Sequence, residues 1–188
     1  MDIYEAIEKR RTIRAFTGGT TEEIVRKIIK AGTMAMSAGN SQPWEFIIVD
    51  DPEIIEQIAD RKYRLNLTAY EEGVAKLQKK VYFNSSVVAA CYKDDPGGNL
   101  WSMWSCIQNM ALAATAEGLG IVPSTFWGGH QKAVEKILGL PDDYGLATMV
   151  LIGVQKGYPW KTTPKIVRRP EWSWLHHNKF GTPSRGEV

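Results

Sequence analysis

Apolar residues recur at helical and strand spacing along most of the chain and divide it into interspersed helices and strands. Near the start, Asp2 and Glu5 form a capping-box pattern around a short apolar stripe, which predicts a helix over 3–10. Runs rich in Val, Ile and Phe predict strands. The further elements that we predict are a helix of about fifteen residues capped by Thr20, a helix beginning at Pro52, helices over 100–117 and 131–138, and strands over 45–49, 86–92, 121–126 and 146–154.

Three stretches give weaker patterns. Residues 16–19 read Phe-Thr-Gly-Gly, which predicts a loop. Residues 61–80 are charged and weakly periodic, which favours helix without predicting how that helix packs. Trp101 and Trp104 are spaced for one face of the most apolar helix, an arrangement that is more typical of core than of a ligand pocket.

Helices interspersed with about four strands, without a regular βαβ rhythm, predict a mixed α+β fold built in layers. The length of 188 residues is that of a single domain, so we predict one domain over 1–188. From about residue 158 the chain is rich in Pro, Arg and Trp and has little periodicity, which is typical of a C-terminal arm. No Gly-x-Gly-x-x-Gly follows a strand, so the sequence does not support a Rossmann dinucleotide site.

Composition and charge narrow the class of function. A formal net charge of +2 is too small to predict a nucleic-acid partner. The two cysteines, Cys91 and Cys106, have no His or Cys spacing that predicts a metal site. The sequence begins without a secretory signal pattern and contains no apolar run long enough to cross a bilayer, so we expect a cytoplasmic protein with no membrane partner.

The candidate chemistry begins with a basic cluster at the end of the first helix. Arg10, Arg11 and Arg14 surround the hydroxyl of Thr12, and a guanidinium matches two phosphate oxygens at once. By themselves these residues are more typical of a solvated basic helix end, where positive charge suits the helix dipole. The order of motifs further along the chain favours the phosphate interpretation.

Five motifs in order resemble the nitroreductase family of FMN-dependent oxidoreductases, and together they span nearly the whole chain. They are Arg10-Arg11-Thr12-Ile13-Arg14, Ser37-Ala38-Gly39-Asn40-Ser41-Gln42-Pro43-Trp44, the helix around Ile107-Gln108-Asn109-Met110 with its stop at Gly118-Leu119-Gly120, Pro164-Lys165 with Arg168-Arg169-Pro170, and His177-Asn178-Lys179-Phe180-Gly181. The resemblance implies an α+β nitroreductase-like fold with a central, mostly antiparallel sheet flanked by helices. It also implies an intertwined homodimer whose C-terminal arm wraps the partner subunit, with FMN bound at the dimer interface.

The resemblance also implies which residues bind the cofactor. Arg10, Thr12 and Arg168, with Lys165, correspond to phosphate ligands, and Arg14 corresponds to a position near the pyrimidine edge of the flavin, where negative charge develops on reduction. The segment 122–125 corresponds to backbone that approaches flavin N5. The full set of predicted cofactor ligands is Arg10, Arg11, Thr12, Arg14, Ser37, Ala38, Asn40, Gln42, Pro123, Ser124, Thr125, Lys165 and Arg168.

The function implied is electron transfer from NAD(P)H through flavin N5 to a small organic acceptor of the nitroaromatic or quinone type, by a ping-pong mechanism. Because the cofactor carries this chemistry, no catalytic side chain is predicted. Three alternatives stay open at this point: a non-catalytic protein that stores or senses FMN, a specialised member of the same superfamily with another substrate, and a phosphate- or nucleotide-binding module without flavin.

Overall fold

The computed structural model describes residues 1–95, 98–157 and 168–182. The chain separates into two compact units, Met1–Gly157 and Tyr158–Val188. In the first unit the helices are α1 Ile3–Lys9, α2 Glu22–Gly32, α3 Pro52–Asn66, α4 Glu72–Phe83, α5 Asn99–Ala116 and α6 Gly128–Ile137, and the strands are β1 Phe16–Gly18, β2 Trp44–Val49, β3 Ser86–Lys93, β4 Gly120–Ser124 and β5 Tyr144–Gln155.

The five strands form one sheet around the long strand β5. The order runs β1-β5-β3-β2, and β4 also pairs with β5; all of these pairs are antiparallel. A separate parallel bridge joins Thr12 to Ile121. The prediction of an α+β fold with a mostly antiparallel sheet flanked by helices is confirmed.

The two faces of the sheet bury different helices. Along β3, Val87, Ala89 and Cys91 point to one face, and the residues between them point to the other. The first face packs against α3, α4 and α6, and the second packs against α2 and α5. Helix α5, the most apolar helix of the sequence, has its inner side buried against this second face.

The helix starts follow local signals in the sequence. Asp2 accepts a hydrogen bond from the backbone N–H of Glu5, and Asp51 accepts two at the start of α3, where Pro52 is the first helical residue. The prediction that Thr20 caps α2 is wrong, because Thr21 is the cap and accepts from Ile24. The backbone of Thr20 is instead bonded to the hydroxyl of Ser86.

Three further predictions need correction. The stretch predicted as a loop at 16–19 contains β1, so the sheet has five strands rather than four. Helix α6 begins at Gly128, three residues before its predicted start. Trp101 is 74% exposed and does not belong to the core, whereas Trp104 is half-buried against it.

The described part of the second unit is short and bonded within itself. A 3-10 turn spans Glu171–Ser173, and the indole N–H of Trp174 donates to the carbonyl of Arg169 at 3.1 Å. Arg168 is exposed, and Lys165 lies outside the described residues. The arm's wrapping of a partner subunit therefore stays a prediction.

Candidate active site

A cavity of about 420 Å³ opens on the sheet face that α3 and α4 cover. Its floor is formed by β4 and β5, and its sides come from the two helices and from the segments before β1 and after β4. The residues that line it are Arg14, Lys62, Asn66, Tyr70, Gln78, Val81, Val122, Pro123, Ser124, Thr125, Trp127 and Leu151. Four of the predicted ligands meet here, namely Arg14 and the segment Pro123–Thr125.

The pairing of Thr12 and Ile13 with β4 places the next residue, Arg14, at the cavity. Besides the Thr12–Ile121 bridge, the backbone N–H of Ile13 donates to the carbonyl of Ile121 at 3.1 Å. The side chain of Ile13 is buried, so the guanidinium that follows it is directed away from the core. This backbone contact brings together two motifs that are more than a hundred residues apart in the sequence.

A buried tyrosine, Tyr82, holds the side chain of Ser124 in place by a hydrogen bond. The hydroxyl of Tyr82 donates to Ser124 Oγ at 2.7 Å, and both side chains are buried. Burial raises the pKa of Tyr82 above its ordinary value, so this hydroxyl stays a donor throughout the physiological range. Because Ser124 Oγ accepts this bond, its own proton is available to a group in the cavity.

Lys62 is the most unusual residue of the cavity. Its side chain is only 7% exposed, and its ammonium donates to the carbonyl of Thr125 at 2.9 Å. The same ammonium lies 5.4 Å from the ring centroid of Phe126 and 5.6 Å from that of Trp127, which is cation–π distance. Burial, and then the nearby charge of Arg14, lower the pKa of Lys62 to about 8.

We expect this buried cation to make stability depend on pH. Between about pH 8 and pH 10.5, folded Lys62 has released its proton while unfolded Lys62 still holds it. The unfolded state then binds more protons, so the free energy of unfolding rises with pH through this window, by about 1–3 kcal/mol. Urea unfolding of the wild type and of Lys62→Met between pH 7 and pH 10.5 measures this difference.

A matched control is Lys30→Met, which removes an exposed cation from α2. The wild type should gain stability relative to Lys62→Met as the pH rises, and it should show no such gain relative to Lys30→Met. If the free energy of unfolding changed with pH in the same way in the wild type and in Lys62→Met, Lys62 would not be the source of the pH dependence.

The polar residues on α3 and α4 were missed by the sequence analysis. Asn66 is 1% exposed and donates to Gln78 Oε1 at 3.1 Å, which joins the two helices beside the cavity. A signal was present, because Lys62 and Asn66 are four residues apart on the same side of α3 as Ile58 and Leu65. Polar residues at the spacing of core residues indicate a ligand site. This signal can be used only when the helix is already known, because the spacing is defined by the helix.

The predicted ligands at 37–42 lie elsewhere. Their loop is anchored on the first turn of α5, where the N–H of Ala38 contacts Ser102 Oγ at 3.4 Å and Ser41 donates to Asn99 at 3.2 Å. Helix α5 covers the opposite face of the sheet from the cavity. None of Ser37, Ala38, Asn40 and Gln42 lines the cavity.

This loop is held in an uncommon conformation. Gly39, Asn40 and Gln42 have φ values of 58°, 56° and 47°. For the two residues other than glycine such geometry costs about 1 kcal/mol or more each. The backbone N–H of Gln42 donates to Ser37 Oγ at 3.1 Å, which closes the turn and leaves both amide side chains exposed.

Arg10, Arg11 and Thr12 do not line the cavity either. The guanidinium of Arg11 donates to the carbonyls of Glu8 and Arg10 at the end of α1, the contact expected of a basic residue at a helix C-terminus. Arg10 is half-buried and Thr12 is exposed. The cofactor roles of Arg10, Arg11, Thr12 and Arg168 stay predictions, as does that of Lys165, which lies outside the described residues.

A family model described as the nitroreductase family matches residues 7–154, which is most of the chain. The chain belongs to the nitroreductase family. The resemblance that the motifs predicted is confirmed.

Among the residues that the structure describes, no helix is long and apolar enough to cross a membrane, and no group of three His, Cys, Asp or Glu could hold a metal ion.

Proteins similar to this chain differ in their named activities. A putative NADH dehydrogenase/NAD(P)H nitroreductase from Archaeoglobus fulgidus is 28% identical over 82% of this chain and 86% of the relative. An iodotyrosine deiodinase from Thermotoga neapolitana is 27% identical over 88% of this chain and 93% of the relative. The crystal structure of an oxidised iodotyrosine deiodinase bound to FMN and 3-iodo-L-tyrosine is similar in fold, with a TM-score of 0.79. Its sequence is 22% identical, and the similarity covers 95% of this chain and 100% of that one.

Proposed function

We propose that this member of the nitroreductase family is an FMN-dependent oxidoreductase that takes electrons from NAD(P)H and gives them to a small organic acceptor. Family membership supports the flavin and the reaction class. The observation that carries the proposal is the cavity at the end of β4, where Arg14 and Lys62 face Ser124 and Thr125.

The residues of this cavity fit FMN. Its volume of about 420 Å³ is within the range of small-molecule sites. Two cations, amides and hydroxyl groups line it, and none of the described lining residues is a carboxylate. An anionic cofactor with a polar ring edge matches this set of donors.

When bound, FMN supplies the two-electron chemistry that links NAD(P)H to the acceptor. The part of the protein is to bind and orient. Arg14 would place a fixed positive charge beside the cofactor, and Ser124, held from below by Tyr82, would donate its hydroxyl proton. The carbonyl of Thr125 is occupied by Lys62, which fixes the backbone of this segment.

We also propose that the site is completed by a second copy of the chain. The loop 37–42 and the cavity lie on opposite faces of one sheet, so one copy does not present both to the same ligand. Large apolar side chains are exposed on α1, on α5 and just before the loop. This α1/α5 face is exposed and consists of Ile3, Tyr4, Ile7, Met34, Met36 and Trp101. A homodimer that buries this face would bring each loop to the partner's cavity.

The decisive experiment is the visible spectrum of the purified protein after incubation with FMN and removal of free FMN. We expect flavin bands that bleach when NADH or NADPH is added without air and that return when a nitroaromatic or a quinone is added. Bands that persist with both nucleotides would favour the storage or sensor alternative. Protein that takes up no FMN would contradict the proposal.

A second candidate acceptor class is favoured by the deiodinase relatives, which match 88% of this chain in one case. A halogenated tyrosine would then take two electrons and a proton, so that its carbon–halogen bond is replaced by a carbon–hydrogen bond and halide is released. Anaerobic addition of 3-iodo-L-tyrosine to the reduced protein tests this candidate, and iodide release with return of the flavin bands is the positive result.

A further inference from the structure

A second cavity, the α4/β1 groove, lies beside the candidate active site, between α4 and β1. Its volume is about 400 Å³, which is within the range of small-molecule sites. It shares Arg14, Gln78 and Val81 with the candidate active site, and its other described lining residues are different. None of these lining residues belongs to the α1/α5 face, so burial of that face in a homodimer does not by itself cover the groove.

The floor of the groove is a closely packed aromatic ring. Phe16 is 5% exposed and lines the groove. Its ring lies against Gly120 and Gly153, where an added Cβ would come within 2.8 Å and 3.2 Å of ring atoms. Because the ring already lies this close to the two glycines, it cannot sink further into the protein and is a fixed surface for a ligand.

The opposite wall, α4, is also held in place. The hydroxyl of Tyr82 donates to Ser124 Oγ at 2.7 Å, which ties α4 to the end of β4. An ion pair between Lys79 and Asp60 ties α4 to α3. The groove therefore lies between two fixed walls, and a ligand that enters it has little protein structure to order.

Helix α4 lines the groove with an apolar stripe. Val74, Leu77 and Val81 follow helical spacing and all line it. Val74 is 40% exposed and Leu77 is 68% exposed, although α4 already buries other residues against the sheet. A ligand chain laid along this stripe would remove apolar surface from water.

Exposed cations line the same groove, and none of its described lining residues is a carboxylate. Lys80 belongs to α4, and Lys156 follows β5. The backbone N–H of Lys156 donates to the carbonyl of Ala15 at 2.9 Å, which holds Lys156 beside β1. Two ammonium groups beside an apolar groove complement a ligand that has an apolar body and an anionic end.

We propose that the α4/β1 groove binds a single aliphatic carboxylate, with its chain between Phe16 and Leu77 and its carboxylate at Lys80 and Lys156. A flexible alkyl chain matches this groove, because its apolar lining residues other than Phe16 are aliphatic. A concave site of this volume favours a separate molecule over a bilayer, since a helix that binds a membrane lays its apolar face into the bilayer. The inference goes beyond the proposed function and leaves Arg14 assigned to the cofactor.

The test is calorimetric titration of the FMN-saturated protein with hexanoate, octanoate and decanoate, each below its micelle concentration. We expect the affinity to rise about threefold to fourfold for each added methylene, because the groove covers the longer chain. Octanol has the same chain length as octanoate and no charge. It should bind about threefold to tenfold more weakly, which is the contribution expected of two exposed ammonium groups.

Two substitutions of exposed residues locate the ligand. Leu77→Gln should weaken decanoate binding about tenfold, whereas Phe83→Gln, which changes a 50% exposed apolar residue of α4 outside the groove, should keep the wild-type affinity. Lys80→Gln should reduce the preference for octanoate over octanol. Lys76→Gln removes an exposed cation one turn earlier, outside the groove, and should keep that preference.

Three results would overturn the inference. Equal decanoate affinities in the wild type and in Leu77→Gln would place the ligand outside the groove. Octanol that binds as tightly as octanoate would show that the groove does not select an anion. Protein that sediments with phosphatidylglycerol vesicles and does not bind decanoate would make the groove a membrane contact.

These titrations require no turnover, so they are independent of the proposed function. A flavin that NADH and NADPH do not reduce would contradict the proposed function and leave the groove's ligand class standing. Absence of decanoate binding in a protein whose flavin is reduced would overturn the inference alone.

Discussion

Replacing Trp101 with Glu is expected to dissociate the homodimer and release FMN in the same step. Trp101 is 74% exposed on the α1/α5 face, where a large aromatic side chain is typical of the centre of an interface. A buried carboxylate at this position would raise the dissociation constant of the dimer by about 100-fold. Because the loop 37–42 lies on this face, its contribution to the cofactor should be lost with the partner.

Sedimentation velocity and flavin absorbance of the same samples measure both effects. Phe83→Glu is the matched control, since Phe83 is 50% exposed at the end of α4 and lies outside the α1/α5 face. The control should remain a yellow dimer. A Trp101→Glu monomer that retained stoichiometric FMN would contradict the proposal that two copies complete the site.

Gly153→Ala is expected to destabilise the protein and to weaken FMN binding together. A Cβ at Gly153 would overlap the carbonyl oxygen of Gly18 and crowd the ring of Phe16, so β1 would have to move away from β5. Overpacking against backbone of this kind costs about 1–3 kcal/mol. The residues just before β1 carry Arg14, so displacement of β1 also displaces that cation from the cavity.

Gly18→Ala in the neighbouring strand is the matched control. A Cβ there meets no atom within 4 Å, so we expect the free energy of unfolding to change by less than about 0.5 kcal/mol. Urea unfolding and FMN titration of both variants measure the difference. A Gly153→Ala protein as stable as Gly18→Ala would show that β1 adjusts without cost.

Lys62 and β1 show where the sequence analysis stopped. Phe16-Thr17-Gly18 is too short to give a strand pattern of its own, and β1 exists because β5 offers it an edge to pair with. In the sequence, Lys62 is one of many charged residues in 61–80. Only the packing of α3 against the end of β4 buries it beside Thr125. Trp101 was assigned to the core by spacing, yet the side of α5 that faces the sheet is set by Met103, Cys106 and Met110.

The sequence by itself determined the family, the α+β class and most elements, because these depend on local signals: the caps at Asp2 and Asp51, the apolar run of β3 and the order of the family motifs. It also predicted Arg14 and Pro123–Thr125 as cofactor ligands, and the structure brings these residues to one cavity. Only the tertiary structure decided that Lys62, Asn66 and Gln78 join them, and that the loop 37–42 lies on the other face of the sheet. Burial, charge proximity and the face on which a residue lies depend on contacts between distant segments, and local patterns do not encode those contacts residue by residue.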